Sequence, residues 1–325
     1  MEEILGTYGA SATDSELDTI TRMVPWIRAG LERDRCLPPA PHVPLSEYAG
    51  TMLQRAGNDL RRGAEHADMG TLAALWFPNT DGRLREAAEM FQVWTTFADE
   101  GIAEAGRPYG HYVELCDAAL RGDILADPAD PVLLCLRLVR RKIEALDADR
   151  IIPELSDALL ESNRSWCTEQ EWRAPGGYPS LQEYLRERGN VVFTYVLAVL
   201  LRIHYRLLGN IPPAVVHHAR TVALVTGLEN DLLSAYREAQ VGTPLTLLRT
   251  VQKEYGLPLK AAVQCSVAVT NSIRLSSEQL AMRLLADPAL SEPERQYVRA
   301  MNGWADSCYA WQLGAKRYRL AEVAP

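Results

Sequence analysis

The sequence predicts an all-α protein. Apolar residues recur at helical spacing in one segment after another, and no run alternates with a period of two beyond a few residues. Proline- and glycine-bearing breaks divide the chain into helix-length pieces. No internal repeat and no Pro/Gly/Ser-rich linker splits it. The expectation is therefore a single domain over residues 1–325, with roughly ten or more helices.

The first helix is predicted over Thr13–Arg35, where Leu17, Ile20, Met23, Val24, Ile27 and Leu31 share a stripe before Pro38, Pro39 and Pro41 end it. Tyr48–Asp68 is helical again, and Gly70–Pro78 is a short apolar helix carrying Leu72, Leu75, Trp76 and Phe77. After the Asn79–Gly82 turn, Arg83–Ala105 shows a strong stripe of Leu84, Ala87, Ala88, Phe91, Trp94 and Phe97. Helices follow over Gly110–Leu120, the leucine-rich Pro131–Leu146, and Arg150–Trp172, which stops at Pro175-Gly176-Gly177. Ser180 is then an N-cap for a helix running through Glu183 toward Leu208. Its predicted kink is Gly189-Asn190, because glycine costs about 1 kcal/mol against alanine in a helix. Pro212–Val241, Pro244–Gly256, Leu259–Leu285 and Pro293–Ala321 complete the set.

Of the 325 residues, 47% are hydrophobic and 23% charged, which suits a globular chain with a sizeable core. The net charge of −8 argues against nucleic acid or an anionic membrane as the main partner. A polyanionic ligand would need local basic residues or bound metal. No stretch reaches ~18 consecutive apolar residues, so no membrane span is predicted. The most apolar segment, Val191–Leu201, reads as a buried core helix. With no basic region and apolar run at the amino terminus, a cytoplasmic location is expected. The six cysteines are scattered without a C-x-x-C, and the histidine pair His217-His218 points to different helix faces. Reduced, mostly buried cysteines are expected rather than a thiolate metal site or a disulfide scaffold.

The chemistry centres on Leu228–Glu238. Asn230, Ser234 and Glu238 stand four residues apart, so on a helix they share one face. An amide oxygen, a hydroxyl and a carboxylate are hard donors that suit Mg²⁺ better than zinc or copper. Leu232 and Leu233 lie off that face and can pack the helix in place. A solvated helix surface would have the same spacing, but three companions accompany this one. In Phe97–Glu104, Asp99 and Glu100 are adjacent and Glu104 lies one turn beyond Glu100. Carboxylates so close repel unless a cation sits between them. In Tyr184–Asn190, Arg188 directly precedes the predicted kink, where a guanidinium and freed backbone groups can converge on an anion. Near the carboxyl end, Trp304 and Trp311 are one heptad apart, and Arg317-Tyr318 offers a cation and a phenol to phosphate oxygens. Taken singly, each has an ordinary counterpart: an acidic helix end, an exposed Glu/Arg surface, a basic tail.

In this order, the four motifs resemble the class I terpene synthases of bacteria, from about Trp76 to Tyr318. Asn230-Asp-Leu-Leu-Ser234-Ala-Tyr-Arg-Glu238 matches that family's Asn/Ser/Glu metal motif in full. Arg317-Tyr318 looks like its closing Arg-Tyr pair, and Arg188 like its diphosphate sensor. Asp99-Glu100…Glu104 stands where the aspartate-rich motif belongs but departs from it, since Glu100 replaces the usual second Asp. Val191 and Val192 stand where a small residue is common after the sensor.

The resemblance implies a helical bundle around a central apolar cavity, with residues 1–45 as an amino-terminal segment that can cover the site. It implies three Mg²⁺ ions held by Asp99, Glu100 and Glu104 on one side and Asn230, Ser234 and Glu238 on the other. They would bind the diphosphate of a linear isoprenoid, with Arg188, Arg317 and Tyr318 donating to its oxygens. Asp99, Arg188, Asn230, Ser234, Glu238, Arg317 and Tyr318 form the implied catalytic set, and a homodimer is the family's usual state. Ionisation leaves an allylic cation that aromatic faces can stabilise. Phe77, Trp94, Phe97, Phe193 and Trp311 are expected against the substrate, with Trp76, Tyr195 and Trp304 as further candidates. Only four phenylalanines stand among many Leu, Ala and Val, which suits a roomy cavity and leans toward geranylgeranyl over farnesyl diphosphate. A chain-elongating prenyltransferase or a head-to-head synthase would carry a second Asp-rich motif, which is missing here. A non-catalytic helical scaffold is the alternative of a different class, and it would tolerate Asn230→Ala.

Overall fold

The computed structural model describes residues 13–32, 35–56, 67–98, 109–123, 130–173, 178–240, 245–315 and Tyr318. Among the described residues there are helices and no strand. In chain order they are α1 (Asp14–Glu32), α2 (Glu47–Ala56), α3 (Met69–Trp76), α4 (Gly82–Ala98), α5 (Gly110–Arg121), α6 (Pro131–Glu144) and α7 (Ile152–Arg173). A short 3₁₀ turn at Asp149–Ile151 leads into α7. There follow α8 (Leu181–Val191), α9 (Thr194–Leu201), α10 (Pro213–Leu233), α11 (Ala235–Gln240), α12 (Leu247–Tyr255), α13 (Leu259–Ala286) and α14 (Glu292–Gly314). The helices start where local chemistry directs. Ser180 and Ser291 each close a capping box with Glu183 and Glu294, which satisfies amide groups the first turn leaves open.

The helix α10 lies among α8, α13 and α14 and joins two apolar clusters. Its first half contributes Val215, Ala219, Val222 and Ala223 to the larger cluster, built mainly by α3 to α9 and α14. Leu228 and Leu232 enter the smaller cluster, which α1, α12 and α13 complete. The α8–α10 crossing is close because both sides carry glycine. A Cβ on Gly189 would meet the Leu224 backbone at 3.3 Å, and one on Gly227 would meet the Arg188 carbonyl oxygen at 3.2 Å. The functional helices are thus pressed together where their motifs face.

The described helices follow the predicted segments, with two corrections. The helix toward Leu208 does not kink at Gly189-Asn190, which are helical; it breaks at Val192–Phe193 and resumes as α9, ending at Leu201. Gly189 serves the close crossing instead of a bend. The predicted Pro212–Val241 helix is interrupted at Ser234, although the hydrogen-bond repeat carries across: Ser234 N–H donates to the Asn230 carbonyl at 2.8 Å and Glu238 N–H to the Ser234 carbonyl at 2.9 Å. The distal parts of the Tyr48–Asp68 and Arg83–Ala105 predictions lie largely outside the described residues.

Two tryptophans lock α3 to α14. Trp76 and Trp304 stack at 4.6 Å with planes 3° apart, and each indole N–H donates to the other residue's carbonyl, at 3.2 and 3.0 Å. The segment from Arg35 to Ser46 is tied along its length. Arg35 forms a buried ion pair with Glu229 of α10, Val43 N–H donates to Thr71 Oγ1 at 2.8 Å, and Ser46 N–H to the Glu89 carboxylate at 3.0 Å. No helix among the described residues is long and apolar enough to cross a membrane. All six cysteines are free, and Cys116, Cys135 and Cys308 are buried.

Candidate active site

A cavity of about 230 Å³ opens among α3, α4, α7, α8, α9, α10, α11 and α14. Asn230, Ser234 and Glu238 all line it. They come from the last turn of α10, the residue that caps it, and α11, and the carried-over hydrogen-bond repeat keeps them on one face. Arg188 of α8 and Tyr318 line the same cavity, although they lie far from the stripe in sequence.

Hydrogen bonds connect these groups into one network. Arg188 donates to Asn230 Oδ1 at 3.2 Å and to Asp231 Oδ1 at 2.6 Å, while its other terminal nitrogen faces Glu169 at 3.7 Å. Asn230 Nδ2 donates to the Tyr318 hydroxyl at 2.8 Å. Asp231 also accepts from the Tyr184 hydroxyl at 2.5 Å and from Leu247 N–H at 3.1 Å. Burial works against charge on Arg188, yet Asp231, Tyr184 and Glu169 outweigh it and hold its pKa above that of a free guanidinium. Burial pushes the Asp231 carboxyl up, and Arg188, the Tyr184 hydroxyl and Leu247 N–H pull it back. The guanidinium is thus charged, oriented and held close to Asn230. Such an arrangement suits recognition of an oxyanion.

The expected residues fall into three groups. Arg188, Asn230, Ser234, Glu238, Tyr318, Phe193 and Trp311 are brought together on the cavity wall. Phe77 and Trp94 were expected against the substrate but are not on that wall. Both are fully buried behind it, Phe77 against Trp304 at 5.7 Å and Trp94 against Phe193 at 5.0 Å. Their helical spacing marks core as readily as cavity, and here core won. Of the further candidates, Trp76 lines the cavity, while Trp304 and Tyr195 do not. Asp99, Glu100, Glu104 and Arg317 lie outside the described residues, as does the side chain of Phe97.

Several lining residues escaped the sequence reading: Asp231, Glu169, Arg173, Arg237 and Trp166. Asp231 was visible in principle, since an acid beside Asn230 can face a different helix. Trp166 carried no signal beyond its place in an amphipathic helix. Arg237 pairs with Glu238 at 3.1 Å, and Arg173 with Glu169 at 3.4 Å.

The donor set fits a hard divalent cation. Among the described residues, no group of three or more His, Cys, Asp or Glu is placed to hold a metal. The stripe instead offers amide, hydroxyl and carboxylate oxygens on one cavity face, the donor types that Mg²⁺ takes alongside water and phosphate.

Comparison with known proteins agrees with the all-helical fold. Residues 90–273 match the family model described as terpene synthase family 2, C-terminal metal binding. The chain is 22% identical over 310 residues to a (+)-T-muurolol synthase, (2E,6E)-farnesyl diphosphate cyclizing, of Roseiflexus castenholzii, covering 86% of this chain and 90% of that protein. Two solved structures share the fold. The ancestrally reconstructed SVS_A2 protein superposes with a TM-score of 0.71 at 17% identity, covering 95% of this chain and 88% of its own. The 2-methylisoborneol synthase of Streptomyces coelicolor A3(2), in complex with Mg²⁺ and 2-fluoroneryl diphosphate, gives 0.71 at 17% identity, covering 97% of each chain.

Proposed function

The chain belongs to terpene synthase family 2, and on that premise we propose that it cyclises farnesyl diphosphate with release of diphosphate, using the Arg188–Asn230–Ser234–Glu238–Tyr318 wall. On this reading it is a terpene cyclase, a lyase acting on a prenyl diphosphate with Mg²⁺, the ion that accompanies 2-fluoroneryl diphosphate in the 2-methylisoborneol synthase complex. The observation that carries the site assignment is the contact of Arg188 and Tyr318 with the same Asn230 side chain. Three sequence motifs meet there on one amide.

Asn230, Ser234 and Glu238 would hold Mg²⁺, together with acids of the Asp99–Glu104 region; three ions are the expected number. When bound, Mg²⁺ neutralises charge on the diphosphate and so makes it a better leaving group. Arg188 and Tyr318 donate to the diphosphate oxygens, and Arg317 is assigned the same role. Asp231 and Tyr184 orient the guanidinium, so that little reorganisation is needed as negative charge develops on the departing oxygen. The aromatic faces of Phe193, Trp311, Trp76 and Trp166 receive the allylic cation. Trp94 and Phe77 back that wall, and residues 1–45 are assigned as cover.

Two observations favour a C15 substrate over the C20 one toward which composition leans. The relative from Roseiflexus castenholzii cyclises farnesyl diphosphate. The cavity, although poor in phenylalanine, is lined by three tryptophans and Phe193, whose bulk suits the shorter chain. Purified protein incubated with C10, C15 and C20 diphosphates, with Mg²⁺ and then with EDTA, tests the reading by gas chromatography–mass spectrometry. A cyclic product from farnesyl diphosphate that EDTA abolishes is expected. Product from geranylgeranyl diphosphate alone would restore the longer substrate, and no product with any length would overturn the activity. Titration of Mg²⁺ in the presence of inorganic diphosphate counts the ions.

A further inference from the structure

The break between α8 and α9 carries an unusual backbone. Phe193 sits at φ 54°, ψ 6°, in the left-handed region that bulky residues avoid. Such a conformation persists only where its surroundings over-determine it. Here they do so from two sides. The Phe193 ring is held edge-on by Trp94 at 5.0 Å and by Trp166 at 4.9 Å. On the main chain, Trp166 Nε1–H reaches the Val191 carbonyl oxygen at 2.8 Å, beside the bond from Phe193 N–H to the Asn190 carbonyl at 3.1 Å.

That carbonyl belongs to the last residue of α8, while α9 starts its own ladder at Phe193, whose carbonyl accepts from Leu197 N–H. The indole thus satisfies a backbone group at the junction of two helices. Trp166 is itself fixed: its ring packs on Tyr109 at 4.9 Å, and the Tyr109 hydroxyl donates to Asn163, one turn earlier on α7, at 2.8 Å. Val191, Val192 and Phe193 all line the cavity, and the break follows Arg188 by only a few residues. A shift at this junction would move the aromatic wall and the guanidinium together.

We propose that Trp166 is a positioning residue for the cyclisation, acting through its indole N–H on the Val191 carbonyl to hold the α8–α9 break. The break, rather than the ring face of Trp166 alone, then fixes how Phe193 meets the substrate chain. This inference rests on the cyclase reading above. It assigns to Trp166 a role that replacement by another aromatic residue cannot fill.

Trp166→Phe keeps a ring against Tyr109 and Phe193 and deletes the N–H. In the substrate-free variant, hydrogen exchange of the amides from Phe193 to Leu197 is expected to rise about tenfold, with exchange in α10 unchanged. With substrate, kcat is expected to fall about tenfold while KM stays within about threefold, and the product mixture to broaden toward acyclic or early-quenched species. A merely structural role would lower stability without moving the product ratio. If Trp166→Phe does not fold, the same measurements go to protein carrying a benzothiophene ring in place of the indole at position 166, which keeps the size and lacks the N–H. Wild-type exchange at the break, or an unchanged product ratio in an active enzyme, overturns the positioning role alone. A wild type that turns over no prenyl diphosphate overturns the cyclase reading and this one with it.

Discussion

At the scale of single residues, the site is governed by what burial does to charge. Asp231 is 2% exposed and spends its oxygens on Arg188, Tyr184 and the Leu247 amide. Removing its charge while keeping its shape leaves a largely buried guanidinium short of a partner, a loss of about 3 kcal/mol. Asp231→Asn is therefore expected to lower the urea midpoint clearly, and to cut kcat, because Arg188 is no longer held toward Asn230. An unchanged midpoint would mean that Glu169 alone can carry the charge. His218 offers a pH readout remote from the site. It is fully buried beside Ser277, and burial lowers its pKa to about 4 from an ordinary value near 6.5. The unfolded chain then binds the proton more readily, so the contribution to stability is complete above about pH 6.5 and is lost as pH falls toward 4. Between pH 7.5 and 5 the loss amounts to about 2 kcal/mol. Urea unfolding across that range should show it in the wild type, and His218→Gln should flatten the slope.

Among the elements, α3 and α14 depend on one another through the Trp76–Trp304 stack and its paired indole hydrogen bonds. Trp304→Leu removes a large buried ring and strands the Trp76 carbonyl, so a loss of about 3–5 kcal/mol is expected. Thermal unfolding measures it, and a loss below about 1 kcal/mol would mean that the α14 face repacks. The same helices show what was legible in advance. Stripes such as Ile20, Met23, Ile27 and Leu31 named the buried face of α1 directly, because core contact repeats with the helical period. The Asn230/Ser234/Glu238 stripe was legible for the same reason. The break at Phe193 was not, since nothing local in Val-Val-Phe-Thr favours a left-handed residue; tertiary packing by Trp94 and Trp166 imposes it. Phe77 and Trp94 show the complementary limit. Periodicity says that a ring is buried, but whether it faces a cavity or a neighbouring helix depends on partners distant in the chain, such as Trp304 and Phe193.

For the whole molecule, the question is how a chain of net charge −8 accommodates a polyanion. The cavity wall holds Arg173, Arg188 and Arg237, but each is paired with a carboxylate, Glu169, Asp231 or Glu238. The local field is therefore nearly balanced, and diphosphate alone should gain little there. Mg²⁺ alone meets an amide, a hydroxyl and a carboxylate that is already bridged to Arg237, so it too should bind weakly. On the proposed reading the two would complete each other: a cation on Asn230, Ser234 and Glu238 would free Arg237 from Glu238, and the anion would then meet Arg237 beside Arg188. Ligands that bind only the folded state stabilise it by about 2.7 kcal/mol at a hundredfold excess over Kd, which for a chain of this size is a shift of several degrees. Differential scanning fluorimetry should therefore show a rise in Tm with Mg²⁺ and inorganic diphosphate together that exceeds the sum of the two added singly. Asn230→Ala should abolish that excess with the starting Tm nearly kept, because Asn230 contributes to the network more than to the core. Trp304→Leu should do the reverse, starting from a lower Tm and keeping the excess. Additive shifts in the wild type would mean that cation and anion bind to separate places, and the coupling between the Asn230 stripe and Arg188 would have to be abandoned.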